Sequence, residues 1–145
     1  MPVQRGDTPR TRIASECRRR GTPAIVTGCV ALLSGQPVDD ELILALGGEP
    51  GRSVLDGYNG GRSGYWPRVW AARALLYGWD EDAAGAVIAA TRDDAWRVRE
   101  MAAKVIAHQR VGDALQAVAR LRTDPVPRVR DAAERAVRIL AEARA

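Results

Sequence analysis

The chain has 145 residues, of which 21 are arginine, 14 are glycine and none is phenylalanine. A chain of this length suits one compact domain that buries about 70% of its unfolded surface, so it needs neither a disulfide framework nor a metal to fold. No apolar run approaches the ~20 residues of a membrane-spanning helix, and we expect a cytoplasmic protein. Cys17 and Cys29 match neither a zinc site nor a secreted disulfide scaffold, and we interpret them as reduced thiols.

The net charge of +4 belongs entirely to the first twenty residues. Residues 21–145 hold sixteen basic and sixteen acidic side chains, which cancel. Residues 1–20 therefore form an Arg-rich N-terminal segment, which is either a solvated arm or first helix, or a contact for nucleic acid or an acidic partner. Its arginines are Arg5, Arg10, Arg12, Arg18, Arg19 and Arg20.

The next part of the chain predicts short, irregular helices. An apolar run extends from Thr22 to Leu33, and an acidic start at Asp39 predicts a second helix through Leu46 that ends at Gly47 and Gly48. Residues 50–56 add another turn or two. Residues 57–64 contain four glycines and predict a loop.

The glycine-rich loop has the spacing of neither a P-loop nor a dinucleotide-binding fingerprint. It is either a plain connector or a ligand-contacting loop, since Arg62 and the loop amides precede a helix start where an anion can bind. Tyr65 and Trp66 follow the loop directly, and aromatic rings in this position are common in binding surfaces. Trp70 and Tyr77 lie further along the same helical stripe and are better explained as packing residues.

Three segments of the second half share one pattern: residues 66–72, 95–101 and 126–132. Their central valines, Val69, Val98 and Val129, are separated by 29 and 31 residues. Apolar residues recur three and four positions apart after each valine, which predicts one buried helical face per copy. Segments between the copies also align, so each repeat predicts two antiparallel helices. We place the helices near residues 66–77, 80–92, 95–109, 112–122 and 126–143.

The repeats resemble HEAT-like helical repeats, in particular the short variety named after phycobilisome lyases. The motifs that carry the resemblance are Asp93-Asp-Ala-Trp-Arg-Val-Arg99 and Asp124-Pro-Val-Pro-Arg-Val-Arg130, each followed by alanines. The resemblance implies an all-α, right-handed α-solenoid whose domain spans residues 21–145, with clear repeats at 64–143 and an irregular helical N-terminal half. Lyase activity is not implied, because the chain lacks an evident cluster of cysteines or histidines for a tetrapyrrole.

The same resemblance implies a structural ladder in which Arg99 and Arg130 bond the turn residues Asp93 and Asp124. The alternative is a strip of guanidinium groups that meets phosphates or carboxylates. Arg97 and Arg128 lie two residues before the ladder arginines and are expected to face solvent more freely. They join Arg62, Tyr65 and Trp66 as candidate binding residues.

Catalysis has little support in the sequence. His108, the single histidine, lies near a predicted helix end, and the acidic clusters at 39–41 and 80–82 lie at helix starts, where capping explains them. Metal-ligand spacing is absent, and no cofactor is expected. We therefore predict non-catalytic recognition of a macromolecule, most simply a protein. Two alternatives stay open: nucleic-acid binding through residues 1–20 with Arg97 and Arg128, and a small-ligand or enzymatic module around residues 58–79.

Overall fold

The structure is a computed structural model that describes residues 8–144, so Arg5 and Asp7 of the Arg-rich segment lie outside the described residues. The chain forms two compact units, an N-terminal unit (Met1–Ala83) and a C-terminal unit (Ala84–Ala145). The N-terminal unit contains α1 (Pro9–Arg20), α2 (Thr22–Leu33), α3 (Asp40–Gly47), α4 (Glu49–Leu55), α5 (Trp66–Ala74) and a 3₁₀ turn (Glu81–Ala83). The C-terminal unit contains α6 (Ala84–Ala90), α7 (Trp96–Gln109), α8 (Leu115–Arg120), α9 (Pro127–Arg144) and 3₁₀ turns at Gly112–Ala114 and Leu121–Thr123. The predicted all-α class is confirmed.

Side-chain caps fix where two helices of the N-terminal unit begin. Before α1, the Thr8 hydroxyl accepts the Thr11 N–H at 3.2 Å, and the Thr11 hydroxyl accepts the Thr8 N–H at 2.9 Å. Before α3, Asp39 Oδ1 accepts the Leu42 N–H at 2.8 Å. Because the first N–H groups of a helix have no partner within it, each such cap contributes typically about 1 kcal/mol.

The core of the N-terminal unit lies where α2 meets α1 and α5, and where α3 meets α1, α4 and α5. Helices α1 to α4 each contribute at least one fully buried large side chain, and one more follows α5 directly. These residues are Ile13, Ile25, Ile43, Leu46, Val54 and Leu75. Ile43 and Leu46 lie three positions apart on α3, as expected for a helix that buries one face.

The C-terminal unit is built on small side chains. Its helix α7 packs against α6 and α9, and α8 packs against α9. The repeat valines Val98 and Val129 have no exposed surface, and neither do Ala102, Ala103 and Ala133. The helices α7 and α9 begin two successive repeats, about thirty residues apart, and they pack side by side. Alanine side chains at their contact add little bulk and so allow a close approach.

The observed helices are shorter than predicted at three places. The predicted helix 66–77 ends as an α-helix at Ala74, and the backbone then tightens through bonds from Leu76 N–H to Arg73 and from Tyr77 N–H to Ala74. The predicted helices 80–92 and 112–122 begin as 3₁₀ turns, where Ala83 bonds Asp80 and Ala114 bonds Val111. Bonds three residues apart are frequent at helix ends, and apolar periodicity does not distinguish them from α-helical bonds. The Arg-rich segment contributes a helix, α1, within the described residues.

Close packing of α4 on α3 makes Gly51 a sensitive position. A Cβ atom placed on Gly51 would lie 2.8 Å from the Ile43 carbonyl oxygen, whereas a Cβ on Gly85 of α6 would meet nothing within 4 Å. We expect Gly51→Ala to lower the free energy of unfolding by about 1–3 kcal/mol, because the backbone of α3 must move. The matched Gly85→Ala should raise it by roughly 0.5–1 kcal/mol through helix propensity. Urea denaturation followed by circular dichroism measures both, and equal effects of the two substitutions would contradict this packing.

Candidate functional site

Arg99 links the turns that precede α7 and α9. Its Nε and Nη2 atoms donate to the two carboxylate oxygens of Asp124 at 2.8 and 3.2 Å. Its Nη1 donates to the carbonyl oxygens of Asp93 and Asp94 at 2.9 and 3.0 Å. The Arg99 side chain is 15% exposed and that of Asp124 is 5% exposed. The guanidinium fork therefore joins two neighbouring repeats through paired hydrogen bonds, which are the strong kind.

Arg130 occupies the equivalent position in the next repeat. Its Nη1 donates to the Asp124 carbonyl oxygen at 2.7 Å, just as Arg99 reaches the carbonyl of Asp93. Each aspartate also accepts the N–H two residues ahead: Asp93 from Ala95 and Asp124 from Val126, both at 2.9 Å. We call Asp93, Arg99, Asp124 and Arg130 the arginine ladder. The structure brings its four members together and turns their polar groups toward one another.

The pKa of the Asp124 carboxyl lies below its ordinary value. Burial of the carboxyl raises the pKa, but hydrogen bonds from Arg99 and the Val126 N–H, with the positive charges of Arg99 and Arg130, outweigh burial. A carboxyl with a lowered folded-state pKa stabilises the fold at pH values above its unfolded pKa, which is about 3.9. That stabilisation is lost as the pH falls through the folded-state pKa.

Asp124→Asn removes this charge and should destabilise the protein at pH 7 by about 3 kcal/mol, at the lower end for breaking a buried ion pair. The difference between wild type and variant should shrink as the pH falls below about 4, where the carboxyl of the unfolded wild type is protonated, and should vanish once the pH passes the lowered folded-state pKa. Thermal unfolding at pH 7, 5 and 3 checks both statements. Asp131→Asn, at an exposed site on α9, serves as the control and should change stability by less than about 0.5 kcal/mol. A pH-independent loss for Asp124→Asn would show that the charge is not what matters.

Beside the ladder, two guanidinium groups lie close to the Trp96 ring. The Cζ atoms of Arg97 and Arg128 are 4.3 and 5.3 Å from the centre of the Trp96 ring. Arg128 Nε and Nη2 donate to the Glu100 carboxylate at 2.9 and 3.2 Å. Lys104 Nζ approaches the same carboxylate at 3.8 Å. We call Trp96, Arg97, Glu100, Lys104 and Arg128 the Trp96 surface.

Arg128 is more exposed than the ladder arginine Arg99, whose side chain is 15% exposed. The Arg128 side chain is 63% exposed, yet its fork is held by Glu100, whose side chain is 9% exposed. Arg97 is only half-buried, with its guanidinium against Trp96. Glu100 was not among the candidate binding residues predicted from the sequence. The available signal was an acidic residue within the apolar repeat pattern of α7, one turn from Trp96.

The other predicted binding residues lie in the N-terminal unit. Arg62 forms an ion pair with Asp40 in which both side chains are largely exposed, so solvent screens it strongly. The ring centres of Tyr65 and Trp66 are 5.1 Å apart, and those of Trp66 and Trp70 are 6.4 Å apart. Trp70 is buried. Tyr65 is 37% exposed, so this aromatic row runs from the surface into the core. Arg62 also borders an open recess of about 380 Å³, together with Pro37, Val38, Pro67 and Arg68.

Arginines of the N-terminal segment have partners within the chain. Arg12 donates to the carbonyls of Ala45 and Leu46, at 3.0 and 3.3 Å. Arg19 and Arg20 each approach the Glu16 carboxylate to 2.9 Å, and Arg20 also reaches Glu41 at 3.1 Å. Arg10 and Arg18 are exposed. Much of the positive charge that dominates the composition is therefore used inside the N-terminal unit.

Comparison with protein families matches the chain to HEAT repeats over residues 64–138. This match covers more than half of the chain and includes the ladder and the Trp96 surface. The chain belongs to the HEAT-repeat family. The predicted resemblance is thereby confirmed. Searches of curated proteins and of solved structures return no match.

HEAT repeats are commonly protein-interaction scaffolds and are typically non-catalytic. In the described part of this HEAT-repeat chain, no group of three or more His, Cys, Asp or Glu residues is arranged to hold a metal ion. His108 is exposed in the last turn of α7.

Cys17 and Cys29 are free thiols. Burial is the main reason that the pKa of Cys29 is raised to about 12, and the charge of the nearby Cys17 thiolate contributes a smaller part of the shift. Cys29 is therefore a protonated core residue at neutral pH. Within residues 8–144, no helix has the length and apolarity needed to cross a membrane.

Proposed function

We propose that the chain is a non-catalytic protein-interaction module whose Trp96 surface binds an acidic segment of a partner protein. The observation that carries this proposal is the contact of two guanidinium groups, those of Arg97 and Arg128, with the Trp96 ring. Tryptophan and arginine are the residues most enriched among those that dominate binding energy in protein interfaces. Membership of the HEAT-repeat family supports the same class of function.

The charges of the Trp96 surface favour an acidic partner. Arg97, Lys104 and Arg128 contribute three positive charges against one carboxylate, that of Glu100. Because Glu100 fixes the Arg128 fork through two hydrogen bonds, part of the entropy cost of ordering a long side chain is met before a partner arrives. A carboxylate of the partner can then meet a positioned guanidinium, while its apolar groups pack against the indole ring.

Arg62, Tyr65 and Trp66 are proposed as a second set of contacts, in the N-terminal unit. Exposed Tyr65 beside Trp66 offers apolar area, and Arg62 adds a cation that is held only by a solvent-exposed ion pair. The two free thiols support a reducing compartment, such as the cytoplasm, as the place where this module works.

Affinity capture from a native extract, with and without nuclease treatment, tests the Trp96 surface. We compare full-length wild type with Trp96→Leu, which keeps an apolar side chain but removes the aromatic ring, and with Arg97→Gln. Loss of a dominant contact typically costs about 2 kcal/mol, so we expect proteins retained by wild type to be reduced about 30-fold with Trp96→Leu. Arg138→Gln is the matched control, because Arg138 is an exposed arginine on another face of α9.

Each result of the capture experiment has a defined meaning. Proteins retained by wild type and Arg138→Gln, but lost with Trp96→Leu and Arg97→Gln, support the proposal. Equal retention by all four proteins overturns the assignment to this surface. Capture that disappears on nuclease treatment, with a steep decrease as salt rises, instead supports nucleic-acid binding through α1 and the repeat arginines. Circular dichroism of each variant shows that the fold is intact.

A further inference from the structure

Two arginines meet at the C-terminal end of α3, far from the Trp96 surface in sequence. Arg12 of α1 donates through Nε to the Ala45 carbonyl at 3.0 Å and through Nη2 to the Leu46 carbonyl at 3.3 Å. Arg73 of α5 donates through Nη2 to the same Leu46 carbonyl at 3.1 Å. A single carbonyl oxygen thus brings two positive charges together. The negative end of the helix dipole favours cations at the C-terminal end of α3, and one arginine would be enough to compensate this partial charge.

Both guanidinium groups border an open recess of about 390 Å³ within the N-terminal unit. The other lining residues are mostly apolar: Pro9, Gly47, Pro50 and Trp70, with Glu49 as the acidic residue. The lining therefore carries two positive charges and one negative charge. Its composition, an apolar wall with a few convergent polar groups, is the usual composition of a small-ligand site.

Gly47 borders this recess, and Gly48 follows it directly in the chain. A Cβ atom on Gly47 would lie 2.6 Å from the Trp70 ring, and a Cβ on Gly48 would lie 2.9 Å from Nη1 of Arg12. Gly48 also has a φ of +64°, which favours glycine. The backbone thus approaches the indole ring and the Arg12 guanidinium more closely than any residue with a side chain would allow.

The electrostatics of the pair favour an anion. Burial lowers the pKa of Arg73, and the positive charge of Arg12 lowers it further. Arginine carries five N–H donors, of which Arg73 uses one on the Leu46 carbonyl. An oxyanion between the two guanidinium groups would reduce their mutual repulsion and accept hydrogen bonds in the geometry that the planar fork provides.

We propose that the recess formed by Arg12, Arg73 and Trp70 binds a small ligand that carries a carboxylate or phosphate group on a planar apolar body. The oxyanion bonds the two arginines, and the apolar body lies against Trp70 and the prolines Pro9 and Pro50. This site belongs to the N-terminal unit and does not depend on the function proposed for the Trp96 surface.

Titration of the isotope-labelled full-length chain tests the site by NMR, with phenyl phosphate, benzoate and the uncharged benzyl alcohol as probes. We expect saturable shifts of the Arg73 Nε–H and Trp70 Nε1–H signals with at least one of the two anions. Arg73→Gln, which keeps an amide donor for the Leu46 carbonyl, should weaken binding about tenfold or more, as expected for loss of a charged hydrogen-bonding partner. Arg68→Gln, a charge-matched change on another face of α5, should leave the affinity unchanged.

The probes also separate the possible outcomes. Saturation by phenyl phosphate alone identifies a phosphate ligand, and saturation by benzoate alone identifies a carboxylate ligand. Equal binding of benzyl alcohol, or equal weakening by Arg68→Gln and Arg73→Gln, overturns the proposal. Should Arg73→Gln fail to fold, Arg12→Gln and the wild-type shifts decide the question, and wild-type signals that move without saturation also overturn it. Trp96→Leu should bind the anion normally, so failure here is distinguishable from failure of the Trp96 surface.

Discussion

Main-chain carbonyl groups at helix ends and in the turns between helices need hydrogen-bond donors, and arginine side chains supply many of them in this chain. Arg12 and Arg73 donate to the last carbonyls of α3, and Arg99 and Arg130 donate to the turns before α7 and α9. A buried carbonyl without a donor costs about 1–3 kcal/mol. The long, planar guanidinium groups of Arg12 and Arg73 reach such carbonyls from neighbouring helices.

This use of arginine changes how the net charge is interpreted. A pI near 9.7 suggests an affinity for nucleic acid when composition alone is considered. In the folded chain, Arg12, Arg20 and Arg99 are held by carbonyls or carboxylates of the same unit. Binding is therefore better predicted from the charges on local surfaces than from the net charge. The cations of the Trp96 surface, Arg97, Lys104 and Arg128, are an example.

Small side chains set a second constraint. Alanines and valines without exposed surface fill the C-terminal unit, and Gly51 lets α4 approach the backbone of α3 closely. Close helix packing leaves little room for large polar groups inside, so aromatic and charged side chains collect at the edges of the packed faces. Trp96 and Tyr65 both lie at such edges, half-buried or exposed, beside the first turn of a helix.

The sequence by itself determined the helical class and the repeat period. Apolar spacing reports the buried face of a helix directly, and the positions of Val98 and Val129 fix the repeat. Residues such as Asp39 and Asp124 mark helix starts through bonds to nearby backbone groups, which are local and therefore visible in sequence. The 3₁₀ turns at 81–83 and 112–114 were not visible, because apolar spacing does not distinguish α from 3₁₀ bonds.

Only the tertiary structure decided which arginines are held and by what. Arg128 is exposed, and Glu100, on the neighbouring helix α7, holds its guanidinium. Arg12 and Arg73 lie in distant helices and meet at one carbonyl of α3, which no spacing rule relates to either of them. The physical reason is that hydrogen bonds between helices depend on how the helices pack. Sequence periodicity defines the faces of each helix, and packing then decides which atoms of two faces come within 3 Å of each other.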